Sequence, residues 1–73
     1  LATKKEKYLK RLGEHIKEIR EKKKLTQFDL SSSINKDRQS IQRLEAGNVN
    51  PTIYYLIELA EGLEVPVKKL VDF

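Results

Sequence analysis

A chain of 73 residues with no cysteine has to hold itself together by packing. The length admits one domain with a modest core, and neither a disulfide framework nor a thiolate metal site is open to it. Stability must come from elements that press apolar faces together, and the spacing of the apolar residues is helical. Leu9, Leu12, Ile16 and Ile19 are three, four and three positions apart, which lines one side of a helix while lysines and glutamates cover the rest.

That first helix is expected over roughly Lys5 to Lys23. Arg20 falls about 20° from Leu9 on a helical wheel, inside the apolar stripe, where a charge requires a partner. Thr26 is placed to cap a second helix, with Asp29 three residues on as in a capping box, and this helix ends near Ser33. Ile34, Asn35 and Lys36 make a short connection in which Asn35 tolerates a left-handed backbone. Asp37 caps a third helix through Ala46, and Gly47 stops it. After the polar loop Asn48 to Pro51, Thr52 caps a fourth helix with an apolar stripe of Ile53, Leu56, Ile57 and Ala60, ended by Gly62. Pro66 suits the first turn of a last short helix carrying Val67, Leu70 and Val71. There is no internal repeat, low-complexity tract or linker. The expectation is a single all-α domain over residues 1–73, a compact five-helix bundle, with residues 1–8 as a flexible basic arm.

The net charge of +4 and a pI near 9.4 fit a polyanionic partner. The excess is uneven: residues 1–24 carry ten Lys or Arg against four Glu, and residues 25–73 carry five basic against seven acidic side chains. No apolar run approaches the roughly 18 residues of a membrane-spanning helix, and no signal-peptide pattern appears, so the chain reads as soluble and cytoplasmic.

Two short helices joined by three residues form the outline of a helix-turn-helix. The third helix strengthens it. With Asp37 at zero, Ile41 and Leu44 fall at about 40° and 340°, whereas Gln39, Gln42 and Arg43 fall at about 200°, 140° and 240°. The outward groups are amides and a guanidinium, the types that match adenine and guanine edges in the major groove. Arg38 flanks them in the first turn. Taken alone, such residues are also ordinary helix surface.

The run from Leu25 to Val71, "LTQFDLSSSINKDRQSIQRLEAGNVNPTIYYLIELAEGLEVPVKKLV", resembles the Xre/Cro-type helix-turn-helix domains of phage repressors and bacterial regulators, a likeness that covers roughly Leu12 to Val71. Leu25-Thr26-Gln27, Ser40-Ile41, Leu44-Glu45-x-Gly47 and Pro51 carry it. The resemblance implies a lambda-repressor-like fold of bacterial, intracellular type that binds double-stranded DNA as a transcriptional regulator. It assigns base reading to Arg38, Gln39, Gln42 and Arg43. Phosphate contacts fall on Thr26, Gln27, Ser40, Asn48, Asn50 and Thr52, and a structural ion pair joins Arg20 to Glu45. Ser31, Asn35 and Lys36 depart from the family's usual Ala, Gly and apolar residue, which puts turn geometry in question. Phe28 stands where a polar residue is usual, and either covers the core or meets something outside the domain.

Other readings are weaker. His15 has no second histidine or cysteine at ligand spacing, the serines at 31–33 lack a general base and an oxyanion site, and Gly13, Gly47 and Gly62 form no phosphate loop. No enzyme, metal or cofactor is expected. Tyr55 and Leu59, off the main stripe of the fourth helix, either bury against the last helix or, as the resemblance implies, join Val67, Leu70 and Phe73 in a homodimer surface that sets two half-sites one helical turn apart. The segment "KKEKYLKRL" is either a solvated face or a phosphate-steering arm. The same fold also serves as a protein-interaction module, as in an antitoxin-like component with a second protein as partner.

Overall fold

Four of the five helices begin where a side chain takes up their first free amides. The computed structural model describes all of Leu1–Phe73 and contains α1 (Lys4–Lys22), α2 (Gln27–Ser33), α3 (Arg38–Glu45), α4 (Ile53–Leu63) and α5 (Val67–Leu70), with no strand. Thr26 and Asp29 close a reciprocal capping box on α2 at 3.0 and 2.9 Å. The Asp37 carboxylate accepts from the Ser40 amide at 2.8 Å, and the Thr52 hydroxyl accepts from the Tyr55 amide at 3.0 Å. A fourth cap was not foreseen: Thr3 and Glu6 form a second capping box that starts α1 at Lys4. The flexible arm expected over residues 1–8 is therefore corrected, because from Lys4 onward those residues are helical.

The helix ends share one device. Lys24, Asn35, Gly47 and Glu64 follow α1, α2, α3 and α4, each with a left-handed backbone at φ 60°, 56°, 81° and 57°. The amide one residue beyond reaches back to the last turn in each case, as Asn48 does to the Arg43 carbonyl at 3.0 Å and Val65 to that of Ala60 at 3.0 Å. This is the Schellman arrangement, which glycine favours, yet only α3 uses glycine for it. Gly62 does not end α4, correcting the sequence expectation. It lies inside the last turn, where an added Cβ would sit 2.6 Å from the Ile34 side chain and 2.9 Å from that of Leu30. Its role is to let α4 approach α2.

The core draws Leu12, Ile16 and Ile19 from α1, Leu30 from α2, Ile41 and Leu44 from α3, Leu56, Leu59, Ala60 and Leu63 from α4, and Leu70 from α5. Fully burying one such aliphatic side chain contributes roughly 1.5–3 kcal/mol, so this cluster outweighs any single polar contact. The inward face of α4 differs from the expected one. Ile53 and Ile57 are exposed (68% and 37%), and Leu56, Leu59, Ala60 and Leu63 face in. The cause is α5, which folds back on α4 and inserts Leu70. Leu59 and Leu70, both 0% exposed, are core residues and cannot line a subunit surface; of the expected dimer set, Tyr55 and Val67 are half-buried and only Phe73 is exposed.

Candidate nucleic-acid interface

The turn between α2 and α3 accommodates each of its departures from the family pattern. Asn35 adopts the left-handed conformation that glycine usually supplies. The Ser31 side chain is buried, and its hydroxyl is satisfied by donating to the Phe28 carbonyl at 2.9 Å. Lys36, where an apolar residue is usual, places its ammonium over the Tyr55 ring, 5.7 Å from the ring centre, and 3.5 Å from the Glu58 carboxylate. α3 is thus delivered to a fixed position.

On α3 the two sides separate cleanly. Ile41 and Leu44 are buried, while Arg38, Gln39, Gln42 and Arg43 are exposed. Behind them Glu45 is buried and fully engaged: Arg20 Nε and Nη2 donate to its two oxygens at 2.6 and 3.0 Å, and Gln27 Nε2 donates to Oε1 at 3.0 Å. Arg20 also donates from Nη1 to the Leu25 carbonyl at 2.7 Å. Hydrogen bonding to Glu45 raises the Arg20 pKa further above its ordinary value against the opposing effect of burial. One network therefore ties the end of α1, the start of α2 and the end of α3. Gln27 is held by one N–H, which leaves its other N–H and its carbonyl oxygen free.

Thr26 and Thr52 use their hydroxyl oxygens as acceptors in the caps, so each keeps a proton to donate outward. Ser40 is different: its hydroxyl donates to Asp37 Oδ1 at 2.8 Å, committing that proton inside the cap. Asn48 and Asn50 are exposed in the loop before α4. Arg20, Gln27 and Glu45 are thus brought together, Arg38 to Arg43 form one strip, and Tyr55, Leu59, Val67, Leu70 and Phe73 do not form one surface.

Sequence reasoning left three features out of the site. Asp37 sits exposed at the head of α3, and the hydrogen bonds from the Ser40 amide and hydroxyl hold its pKa below the ordinary carboxylate range, so it stays charged beside the strip. Phe28 is 65% exposed, so it does not cover the core. Ile53, Tyr54 and Ile57 form an exposed apolar face on α4; apolarity on both sides of that helix was the available signal. No three His, Cys, Asp or Glu side chains converge at metal-binding distance, and no helix is long and apolar enough to cross a membrane.

Comparison with known proteins agrees with this geometry. A family model described as helix-turn-helix matches residues 16–70. The restriction-modification controller protein C.AhdI from Aeromonas hydrophila superposes with a TM-score of 0.82 at 27% identity, over 85% of this chain and 94% of its own. The controller C.Esp1396I, solved as a tetramer in complex with its natural 35-base-pair operator, superposes with a TM-score of 0.76 at 33% identity, over 89% of this chain and 96% of its own. Wild-type C.Esp1396I without that complex gives 0.79 at 34% identity, over 88% and 86%. No curated protein matches the chain.

Proposed function

This chain belongs to the helix-turn-helix family of Xre/Cro type, and from that membership we propose that it binds double-stranded DNA sequence-specifically, as a homodimer, and regulates transcription. Residues 1–73 act as one binding domain without catalysis or cofactor. The observation that carries the reading is the strip of Arg38, Gln39, Gln42 and Arg43, exposed on a helix whose opposite side is locked by Ile41, Leu44 and the buried Glu45. Guanidinium forks and amides on a fixed helix match base edges in the major groove. Thr26, Gln27, Asn48, Asn50 and Thr52 hold phosphates around it, with Ser40 supporting the cap that aims α3. Relatives solved as controller proteins, one of them a tetramer on an operator, support a regulatory role in more than one copy. The face of α4 bearing Ile53, Tyr54 and Ile57 replaces the expected surface as the place where two copies meet.

The test is selection of bound sequences from a random duplex library, followed by affinity measurements on the selected site at several salt concentrations. Arg43→Ala should weaken binding by about 1–3 kcal/mol and relax the choice of base at one position, and Thr26→Ala should weaken all sequences alike. Unchanged affinity in Arg43→Ala would instead favour the protein-interaction reading of the same fold.

A further inference from the structure

α1 has two working flanks. Gly13 lies so close to α3 that an added Cβ would meet the Leu44 carbonyl oxygen at 2.5 Å, and Arg20 reaches Glu45 on the same side. With Gly13 at zero on the helical wheel, Lys7, Arg11, Lys4 and Tyr8 fall at about 120°, 160°, 180° and 220°. They occupy the side turned away from the recognition helix, where α5 and the chain's last residues pack.

On that flank planar groups stand in a row. The His15 and Phe73 rings lie 5.5 Å apart, the Arg11 guanidinium carbon is 5.0 Å from the Phe73 ring centre, and the same carbon is 5.9 Å from that of Tyr8. His15 Nε2 donates to the Lys69 carbonyl at 2.7 Å, which fixes the inner end of the row. The outer end is open. Tyr8 is 51% exposed and borders a shallow cleft of about 320 Å³ whose walls are Lys4, Lys7, Tyr8 and Arg11 alone.

Nothing in the protein neutralises these cations. The two ion pairs are Arg20–Glu45 and Lys36–Glu58, so Lys4, Lys7 and Arg11 have no carboxylate partner. Their placement also opposes helix formation: like charges three and four residues apart repel, and lysines in the first turn face the positive end of the helix dipole. A cationic cluster built against local preference, closed by an exposed aromatic ring, calls for a ligand that is both planar and anionic. A simple anion makes no use of Tyr8. A duplex offers phosphates but keeps its base faces stacked inside.

We propose that Lys4, Lys7, Tyr8 and Arg11 form a second nucleic-acid site, which takes one unpaired nucleotide. Its base stacks on the outer face of Tyr8 and extends the row, and its phosphate is held by Lys4 and Lys7 with Arg11 behind the ring. Lys4 and Lys7, part of the segment that the sequence offers as a duplex-steering arm, serve a different segment of nucleic acid, because they lie on the opposite flank, whereas Lys10 packs against Gly47 at the end of α3. The nucleotide is either free or part of a single strand.

The experiment follows the fluorescence anisotropy of a labelled, unstructured single-stranded oligonucleotide titrated with the full chain, alone and with AMP as competitor. Saturable binding that falls about tenfold in Tyr8→Ala, holds in Tyr8→Trp, falls in Lys7→Glu and is indifferent to Arg43→Ala is the expected result. Displacement by millimolar AMP identifies a free nucleotide as the ligand, and persistence against AMP identifies an unpaired nucleotide of a strand. Absence of saturable binding, or equal affinity in wild type and Tyr8→Ala, would overturn the proposal. Tyr8 lies outside the core, so Tyr8→Ala should keep the wild-type circular dichroism spectrum. Duplex binding lost only in Arg43→Ala tests the recognition helix separately.

Discussion

Arg20, in the last turn of α1, grips both carboxylate oxygens of Glu45, the final residue of α3, at 2.6 and 3.0 Å. Gln27 shares one of those oxygens, so the carboxylate is satisfied on every side that the protein covers. A buried charge in such a pair is tolerated because its partner is present. Arg20→Met alone is expected to lower the unfolding free energy by about 3–5 kcal/mol, while Arg20→Met combined with Glu45→Leu recovers most of that loss. Urea unfolding of the two singles and the double measures it, and additive losses would contradict the account.

Three of the four left-handed helix ends carry residues with a side chain. For an ordinary L-residue that conformation costs roughly 1–2 kcal/mol, and asparagine suffers less. Lys24→Gly and Glu64→Gly should therefore each stabilise the fold by about 1 kcal/mol, which corresponds to roughly 4–8 °C in Tm for a domain of this size. Asn35→Gly should gain less. Thermal melts followed by circular dichroism decide it, and a lower Tm in Lys24→Gly would show that its side chain does something the backbone argument omits.

Two glycines answer substitution differently. At Gly13 the neighbours of an added Cβ are the carbonyl groups of Leu44 and Glu45, all at or below 2.9 Å, which cannot move without shifting α3. At Gly62 the neighbours are side-chain atoms of Ile34, Leu30 and Ser33, which can give way by small shifts more readily than backbone, although Leu30 is buried. Overpacking of this kind costs about 1–3 kcal/mol. Gly13→Ala should lie at or above the top of that range and Gly62→Ala near the bottom, and equal denaturant midpoints would refute the distinction.

These contrasts explain what the sequence could and could not disclose. Thr26, Asp37 and Thr52 announce their helices because a cap is local chemistry, complete within three residues. The outward strip on α3 is legible for a related reason, since Ile41 and Leu44 are the only apolar side chains on that helix and leave no choice of inner face. The fourth helix has no such polarity. Ile53, Tyr54, Tyr55, Leu56, Ile57, Leu59 and Leu63 make it apolar nearly all round, so periodicity cannot choose between its faces, and the packing of α5 decides. In the sequence Gly62 looks like a stop because glycine serves as one at Gly47; only the approach of Ile34 reveals its other use. The lysines of residues 1–8 suggest a flexible arm, while Thr3 and Glu6 already hold a helix start.

The head of α3 should respond to acid. Hydrogen bonds from Ser40 hold the Asp37 pKa below its ordinary value in the folded chain, so the unfolded chain takes up the proton more readily. The stabilisation is complete above the unfolded-state pKa and disappears as pH falls through the lower, folded-state one. Asp29, lowered by Thr26, adds to the same window. In Asp37→Asn, which keeps a capping oxygen but no titrating group, stability should depend less steeply on pH between about 5 and 2. Identical acid slopes for the variant and wild type would remove Asp37 from the explanation.

The pairing of two copies through α4 makes a prediction whose sign separates it from DNA binding. Ile53, Ile57 and Tyr54 fall within about 100° on the helical wheel, and Glu61 borders them on the same helix without an ion-pair partner, unlike Glu58, which is paired to Lys36. A two-fold contact sets a patch against itself, so the apolar centres join while the acidic rims face one another. Added salt screens that repulsion and should strengthen self-association, whereas it weakens contacts to phosphates. Sedimentation equilibrium at low and high salt should show the dimer favoured by salt, and duplex titrations with a fixed concentration of preformed dimer should show the opposite trend. Tyr54→Glu adds a carboxylate to each rim and replaces an exposed side chain, so it should give a folded monomer that binds a two-fold site weakly, while Arg43→Ala still dimerises. A Tyr54→Glu protein that remains dimeric would move the subunit contact away from α4.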